Sequence, residues 1–155
     1  SDRFSAHYLT NIIGNPLDTT VAMHYLIFGG VLERYPDLKF VLSHGGAFAA
    51  AYAGRMDHAY GARPDCRENI SMPPSFYLEK FYPDSLVFTI EQLQYLINRF
   101  GADHVLIGTD YPFDMGEYDP VEHVYQVPGL SSANRDLICG GNALRLMHMT
   151  EDECK

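Results

Sequence analysis

The 155-residue chain is 46% hydrophobic, 13% aromatic and 20% charged, a globular composition long enough to bury one core. Its 11 lysines and arginines against 20 aspartates and glutamates leave a formal charge of −9, which argues against nucleic acid or an anionic membrane as partner. The longest apolar stretch, Val21 to Leu32, is broken by His24, Gly29 and Gly30 and is too short to span a bilayer.

From Pro16 to Arg34, Leu17, Val21, Tyr25, Phe28 and Leu32 recur at three- or four-residue spacing, which predicts one helical stripe facing the core. Pro16 suits the first turn and Pro36 stops the helix. Leu38 to Ser43 reads as a short strand that closes on His44-Gly45-Gly46, where two glycines allow a sharp exit. Ala47 to His58 predicts a helix with a small-residue packing face. Gly61 to Pro74 reads as a polar loop outside the core.

Phe76 to Leu86 could hold a second strand, limited by Pro83. Thr89 and Gln92 have capping-box spacing ahead of the stripe Ile90, Leu93, Leu96, Ile97 and Phe100, and Gly101 marks the stop. His104 to Thr109 predicts a third strand ending on Asp110. Tyr111 to Pro128 reads as a loop. A last helix runs near Ser132 to Met147, with an interruption at Gly140-Gly141. Repeated strand–helix units with apolar strands predict an α/β fold with a parallel sheet covered by helices.

In such folds reactive side chains collect at the carboxyl ends of strands. Two residues meet that description, His44 and Asp110. An imidazole can bind metal or carry protons near neutral pH, and a carboxylate supplies a hard oxygen ligand or a proton relay. The competing readings are a hydrogen-bonded structural histidine and an aspartate that caps the following turn. His7, His24, His58, His104, His123 and His148 are scattered, with no His-x-His among them, and read as surface or packing residues. Asp119 and Glu122 read as solvated loop charges.

Cys66, Cys139 and Cys154 are odd in number and form no Cys-x-x-Cys pair, so neither a disulfide scaffold nor a closed zinc cage is expected. The first residues lack a basic segment followed by an apolar one, so no secretory signal is expected and a cytoplasmic setting is.

A series of motifs then becomes specific. Phe28-Gly29-Gly30-Val31, Tyr35-Pro36-Asp37-Leu38-Lys39 and Ser43-His44-Gly45-Gly46 come first, followed by Arg55 to Arg63 with His58 between. Gly108-Thr109-Asp110-Tyr111-Pro112-Phe113, Gly116-Glu117 and Gly141-Asn142-Ala143-Leu144 complete it. In order and spacing these resemble the C-terminal half of the amidohydrolase superfamily, in the branch of the aminocarboxymuconate semialdehyde, resorcylate and carboxyvanillate decarboxylases.

The resemblance implies a distorted (β/α)8 barrel holding one divalent metal, zinc or manganese. It implies Asp110 as a metal ligand, His44 as the histidine that activates or orients a metal-bound water or substrate, and Arg55 as a substrate-carboxylate binder contributed across a dimer interface. Arg55 could instead pair with Asp57 or Glu68. The expected activity is decarboxylation of a small carboxylated unsaturated or aromatic acid. Hydrolysis or hydration on the same site is the alternative, and a half-barrel with a structural role is a third.

A closed barrel needs roughly 250 residues, and neither the family's His-x-His pair nor its further metal histidine is found here. Residues 1–155 are therefore expected to be a partial barrel domain, with most metal ligands supplied by an N-terminal half.

Overall fold

The computed structural model describes residues 2–154, in two units: one runs to Leu42 and resumes at Gly46–Phe81, the other comprises Ser43–Gly45 and Tyr82 onward.

The first unit opens with two short helical turns and then α1 (Asn15–Phe28), with Pro16 in its first turn. The helix breaks at Gly29-Gly30. Gly30 has φ of +69°, and a Cβ there would stand 2.4 Å from the Asn69 carbonyl oxygen, so only glycine fits. A single turn, α2 (Val31–Arg34), follows. The buried face of α1 is not the predicted one: Met23 and Ile27 are inside, while Leu17, Val21 and Tyr25 are exposed. The helix carries apolar residues around most of its circumference, so spacing alone selects no face. His24 likewise lies outside the core, against Phe28 (ring centroids 4.3 Å apart).

β1 (Phe40–Leu42) is the core of the expected first strand. After the His44 turn, α3 (Ala49–Ala62) buries Ala49, Ala50 and Ala53, the small-residue face expected of it. The segment after α3 is less peripheral than its polarity suggested, because Ile70 and Pro74 are buried. α4 (Pro74–Tyr77) and a further 3-10 turn occupy the start of the expected second strand, which shrinks to β2 (Phe81–Pro83). Pro74 starts the helical turn and Pro83 cannot donate to a ladder, so little length remains for a strand. β1 and β2 form a two-stranded parallel sheet, and Phe40 lies against Phe81.

In the second unit, α5 (Ile90–Phe100) matches expectation closely. The Thr89 side chain accepts from Gln92 N–H, Leu93, Leu96 and Ile97 are buried, and Gly101 ends the helix at φ +92°. The expected third strand is reduced to one parallel bridge, Asp84 with Leu106. Val105 and Leu106 are nonetheless buried, and Leu106 N–H donates to the Pro83 carbonyl (2.9 Å). Ile107 N–H donates instead to Ile138 O (3.0 Å). The apolar run thus reflects burial rather than an extended ladder.

The expected loop Tyr111 to Pro128 contains α6 (Pro120–Tyr125), with Asp119 as its N-cap. Asp119 is therefore a capping residue and not merely a solvated charge. The last helical region divides as anticipated: α7 (Ser132–Asp136), a wide turn through Gly140, and α8 (Asn142–Met147). Fully buried Asn142 donates to the carbonyls of Ala102 (2.8 Å) and Val105 (2.7 Å), tying α8 to the chain that leads to Asp110. The structure is α/β, with more helix and less strand than the sequence pattern suggested. Among the described residues no helix is long and apolar enough to cross a membrane.

Candidate functional site

The site begins where β1 ends. His44, Gly45, Gly46 and Ala47 have φ of 58°, 63°, 69° and 57°, a run of left-handed backbone that turns the chain sharply. A Cβ on Gly45 would approach Val87 Cγ1 to 2.4 Å and Leu96 Cδ1 to 2.8 Å. Gly45 is thus required by conformation and by space. Its N–H donates to Asp84 Oδ1 at 2.8 Å.

Asp110 is reached from the other side. Gly108 N–H donates to Ser85 Oγ (3.2 Å). The following loop then closes on itself, with Phe113 N–H to Asp110 O (2.9 Å) and Glu117 N–H to Thr109 O (2.8 Å). Asp110 has φ of 54° and sits at the neck of that loop. The backbone carbonyl of Asp110, rather than its carboxylate, serves the turn, which leaves the side chain to face His44. His44 Nε2 and Asp110 Oδ2 are 3.9 Å apart, and both side chains are half-buried.

That separation is too long for a hydrogen bond, so the two groups face each other without bonding directly. Nitrogen and oxygen donors bind zinc at about 2.0–2.2 Å, so two donors on one tetrahedral ion stand roughly 3.4 Å apart, closer than this pair. His44 Nδ1 is buried without a hydrogen-bond partner among the described residues, a polar atom that asks for one. Asp110 therefore fits a divalent cation in chemical type, as a hard oxygen donor, and His44 fits a proton carrier beside it. The two do not complete a metal site: among the described residues no group of three or more His, Cys, Asp or Glu could hold a metal. Asp110 would be the oxygen donor, with the remaining ligands coming from elsewhere.

A third polar group, Asp84, was not singled out from the sequence. Its Oδ1 accepts from Gly45 N–H and from Leu86 N–H (3.2 Å). Burial pushes its carboxyl above the ordinary value, while those two backbone donors and the nearby His44 pull the other way. The signal was available. Asp84 directly follows the apolar run Phe81-Tyr82-Pro83, much as Asp110 comes three residues after the run Val105-Leu106-Ile107, but a strand continued to Leu86 would place it mid-strand instead of at a strand end.

Arg55 lies on α3, in the first unit, and is exposed. It makes no ion pair with Asp57 or Glu68; Asp57 accepts from Ser75 N–H (2.8 Å) instead. With Thr20, His24, Phe28, Tyr52 and Met56 it lines a cavity of about 510 Å³. Elsewhere in the second unit, His104 stacks on Tyr82 (4.7 Å). His123 is buried with Nδ1 3.4 Å from Glu117 Oε2. These two histidines pack, as the sequence suggested.

The amidohydrolase family profile matches residues 10–148. The chain belongs to the amidohydrolase family. It is 38% identical over 147 residues to a 2-amino-3-carboxymuconate-6-semialdehyde decarboxylase of Dictyostelium discoideum, covering 94% of this chain and 41% of that protein. The corresponding Caenorhabditis elegans decarboxylase is 30% identical over 97% of this chain and 38% of its own length. Among solved structures, a dihydroxybenzoic acid decarboxylase of Polaromonas sp. with bound manganese and 2-nitroresorcinol superposes with a TM-score of 0.79. That alignment has 23% identity and covers 95% of this chain and 45% of that one. The amidohydrolase chain described here thus spans about two-fifths of the length of the curated relatives it matches.

Proposed function

We propose that this chain is the C-terminal part of a metal-dependent, non-oxidative decarboxylase acting on a small carboxylated unsaturated or aromatic acid. The observation that carries the reading is the facing pair His44 Nε2 and Asp110 Oδ2, in a chain whose relatives are named as decarboxylases. In this reading residues 1–155 form one partial domain of a (β/α)8 barrel. The exposed apolar residues Leu17, Val21 and Tyr25 support it, since surfaces of that kind meet further protein. The protein is proposed to be cytoplasmic and to work as a homodimer.

Loss of carbon dioxide breaks a carbon–carbon bond and leaves its electron pair on the substrate carbon, which then takes a proton. His44 is suited to hold and deliver that proton at Nε2. Asp110 would hold the cation, zinc or manganese, whose contribution when bound is to polarise substrate oxygen and offset developing negative charge. Arg55, contributed across the dimer interface, would fix a substrate carboxylate through its planar fork.

The test uses the full-length protein. Carbon dioxide release from carboxylated phenols and carboxymuconate-type acids is expected, with no turnover of lactones. Lactone turnover without carbon dioxide release would replace the proposal with a hydrolase on the same site.

A further inference from the structure

A single carboxylate stands between the two turns that present His44 and Asp110. Asp84 Oδ1 accepts from Gly45 N–H at 2.8 Å, one residue beyond His44. On its other side, a Cβ added to Gly108 would lie 2.8 Å from Asp84 Oδ2 and 2.7 Å from Asp84 Cβ. Gly108 stands two residues before Asp110. Asp84 is thus seated between two glycines, each adjacent or nearly so to a functional residue: Gly45 binds its carboxylate through the backbone, and Gly108 admits its side chain because it has none of its own.

The neighbours of Asp84 complete the tie to the second turn. Pro83 O accepts from Leu106 N–H, and Ser85 Oγ, 1% exposed as a residue, accepts from Gly108 N–H. A left-handed turn such as His44-Gly45-Gly46 has no ladder to fix it, so a hydrogen bond from outside the turn must do so.

We infer that Asp84 is a positioning residue, which through Gly45 N–H and the Gly108 contact sets the separation of His44 and Asp110. Its catalytic consequence rests on the decarboxylase reading; its structural consequence does not.

Three variants of the full-length protein test this. Asp84→Asn keeps an acceptor oxygen for both N–H groups. Asp84→Ser can still bond Leu86 N–H two residues on, as serine does in turns, but cannot reach Gly45. His44→Asn provides the background for a double mutant.

Amide hydrogen exchange at single residues should show Gly45 about tenfold or more less protected in Asp84→Ser, with Leu86 little changed, and both protected in Asp84→Asn. Gly45 exchange unmoved in Asp84→Ser would overturn the inference. So would loss of Gly45 protection in folded Asp84→Asn, which decides the matter alone if the serine variant does not fold. Asp84→Ser should also lower kcat about 100-fold with KM within about threefold, the scale of a small misplacement, and Asp84→Asn should recover most of that loss. In the His44→Asn background the serine change should cost less than about threefold, since without His44 there is no His44–Asp110 separation left to set. Multiplicative losses would overturn it. A full-length protein that releases no carbon dioxide defeats the decarboxylase reading, and the exchange data then judge Asp84 separately.

Discussion

His44 and Asp110 face each other at 3.9 Å, and each holds a non-glycine residue in left-handed backbone, at φ of 58° and 54°. Such conformations cost of order 1–3 kcal/mol apiece and persist where surrounding contacts over-determine them. Both turns meet that condition. The first is tethered from Gly45 to Asp84 and the second is closed from Glu117 to Thr109. An extended backbone at either position would aim the side chain elsewhere, so the strain and the facing geometry are one feature.

If Asp110 supplies an oxygen to the cation, Asp110→Ala in the full-length protein should weaken divalent-metal retention by more than about 100-fold, beyond the range typical of outer groups that merely orient ligands. Turnover should fall with it. Metal content after desalting, measured by elemental analysis, checks this. Full metal occupancy with normal turnover would remove Asp110 from the metal site.

How much of this was legible depended on the kind of signal. Thr89, the stripe Leu93, Leu96, Ile97 and the stop at Gly101 are local, and α5 follows them residue for residue. His44 and Asp110 were found because a polar residue after an apolar run is visible in one dimension. Where apolar residues surround a helix, as in α1, spacing could not choose between the Leu17–Val21 face and the Met23–Ile27 face; tertiary packing chose. The run before Asp110 is buried but makes one bridge, because hydrophobicity reports burial and not hydrogen-bond partners. Asp84 escaped notice for a related reason: its meaning lies in contacts with Gly45 and Gly108, 39 residues away in one case.

Asn142 gives the Gly-Asn-Ala-Leu motif a structural reading. It is 0% exposed; its amide nitrogen serves Ala102 O and Val105 O, and its oxygen accepts from Arg145. Asn142→Ala would leave two carbonyls short of donors inside the second unit. At about 1–3 kcal/mol for a buried polar group left unsatisfied, the expected loss is about 3 kcal/mol. Urea denaturation of the variant measures it, and a loss under about 1 kcal/mol would show that water replaces the amide.

Removing the helix cap should be milder. Thr89 accepts from Gln92 N–H at 3.2 Å in an exposed setting, so Thr89→Ala should cost about 1 kcal/mol and leave substrate turnover intact. A large fall in turnover would mean that α5 positions the site more directly than its cap suggests.

The first unit carries a pH-sensitive pin. Glu33 on α2 accepts from Ser71 Oγ (2.6 Å) and from the Tyr77 hydroxyl on α4. Those two bonds, Ser71 first, hold its carboxyl below the ordinary 4.5. Tyr77 is 2% exposed, and burial, followed by the bond to Glu33, pushes its phenol up. A carboxylate depressed in the folded state stabilises fully above its unfolded value and loses that contribution as pH falls through the folded one. Wild type should therefore exceed Glu33→Gln in stability at neutral pH, with the gap closing below about pH 4.5. Urea midpoints of the two proteins from pH 7 to pH 3 check it. A gap that stays constant across that range would mean the Ser71 and Tyr77 hydroxyls bond the neutral side chain as well as the charged one.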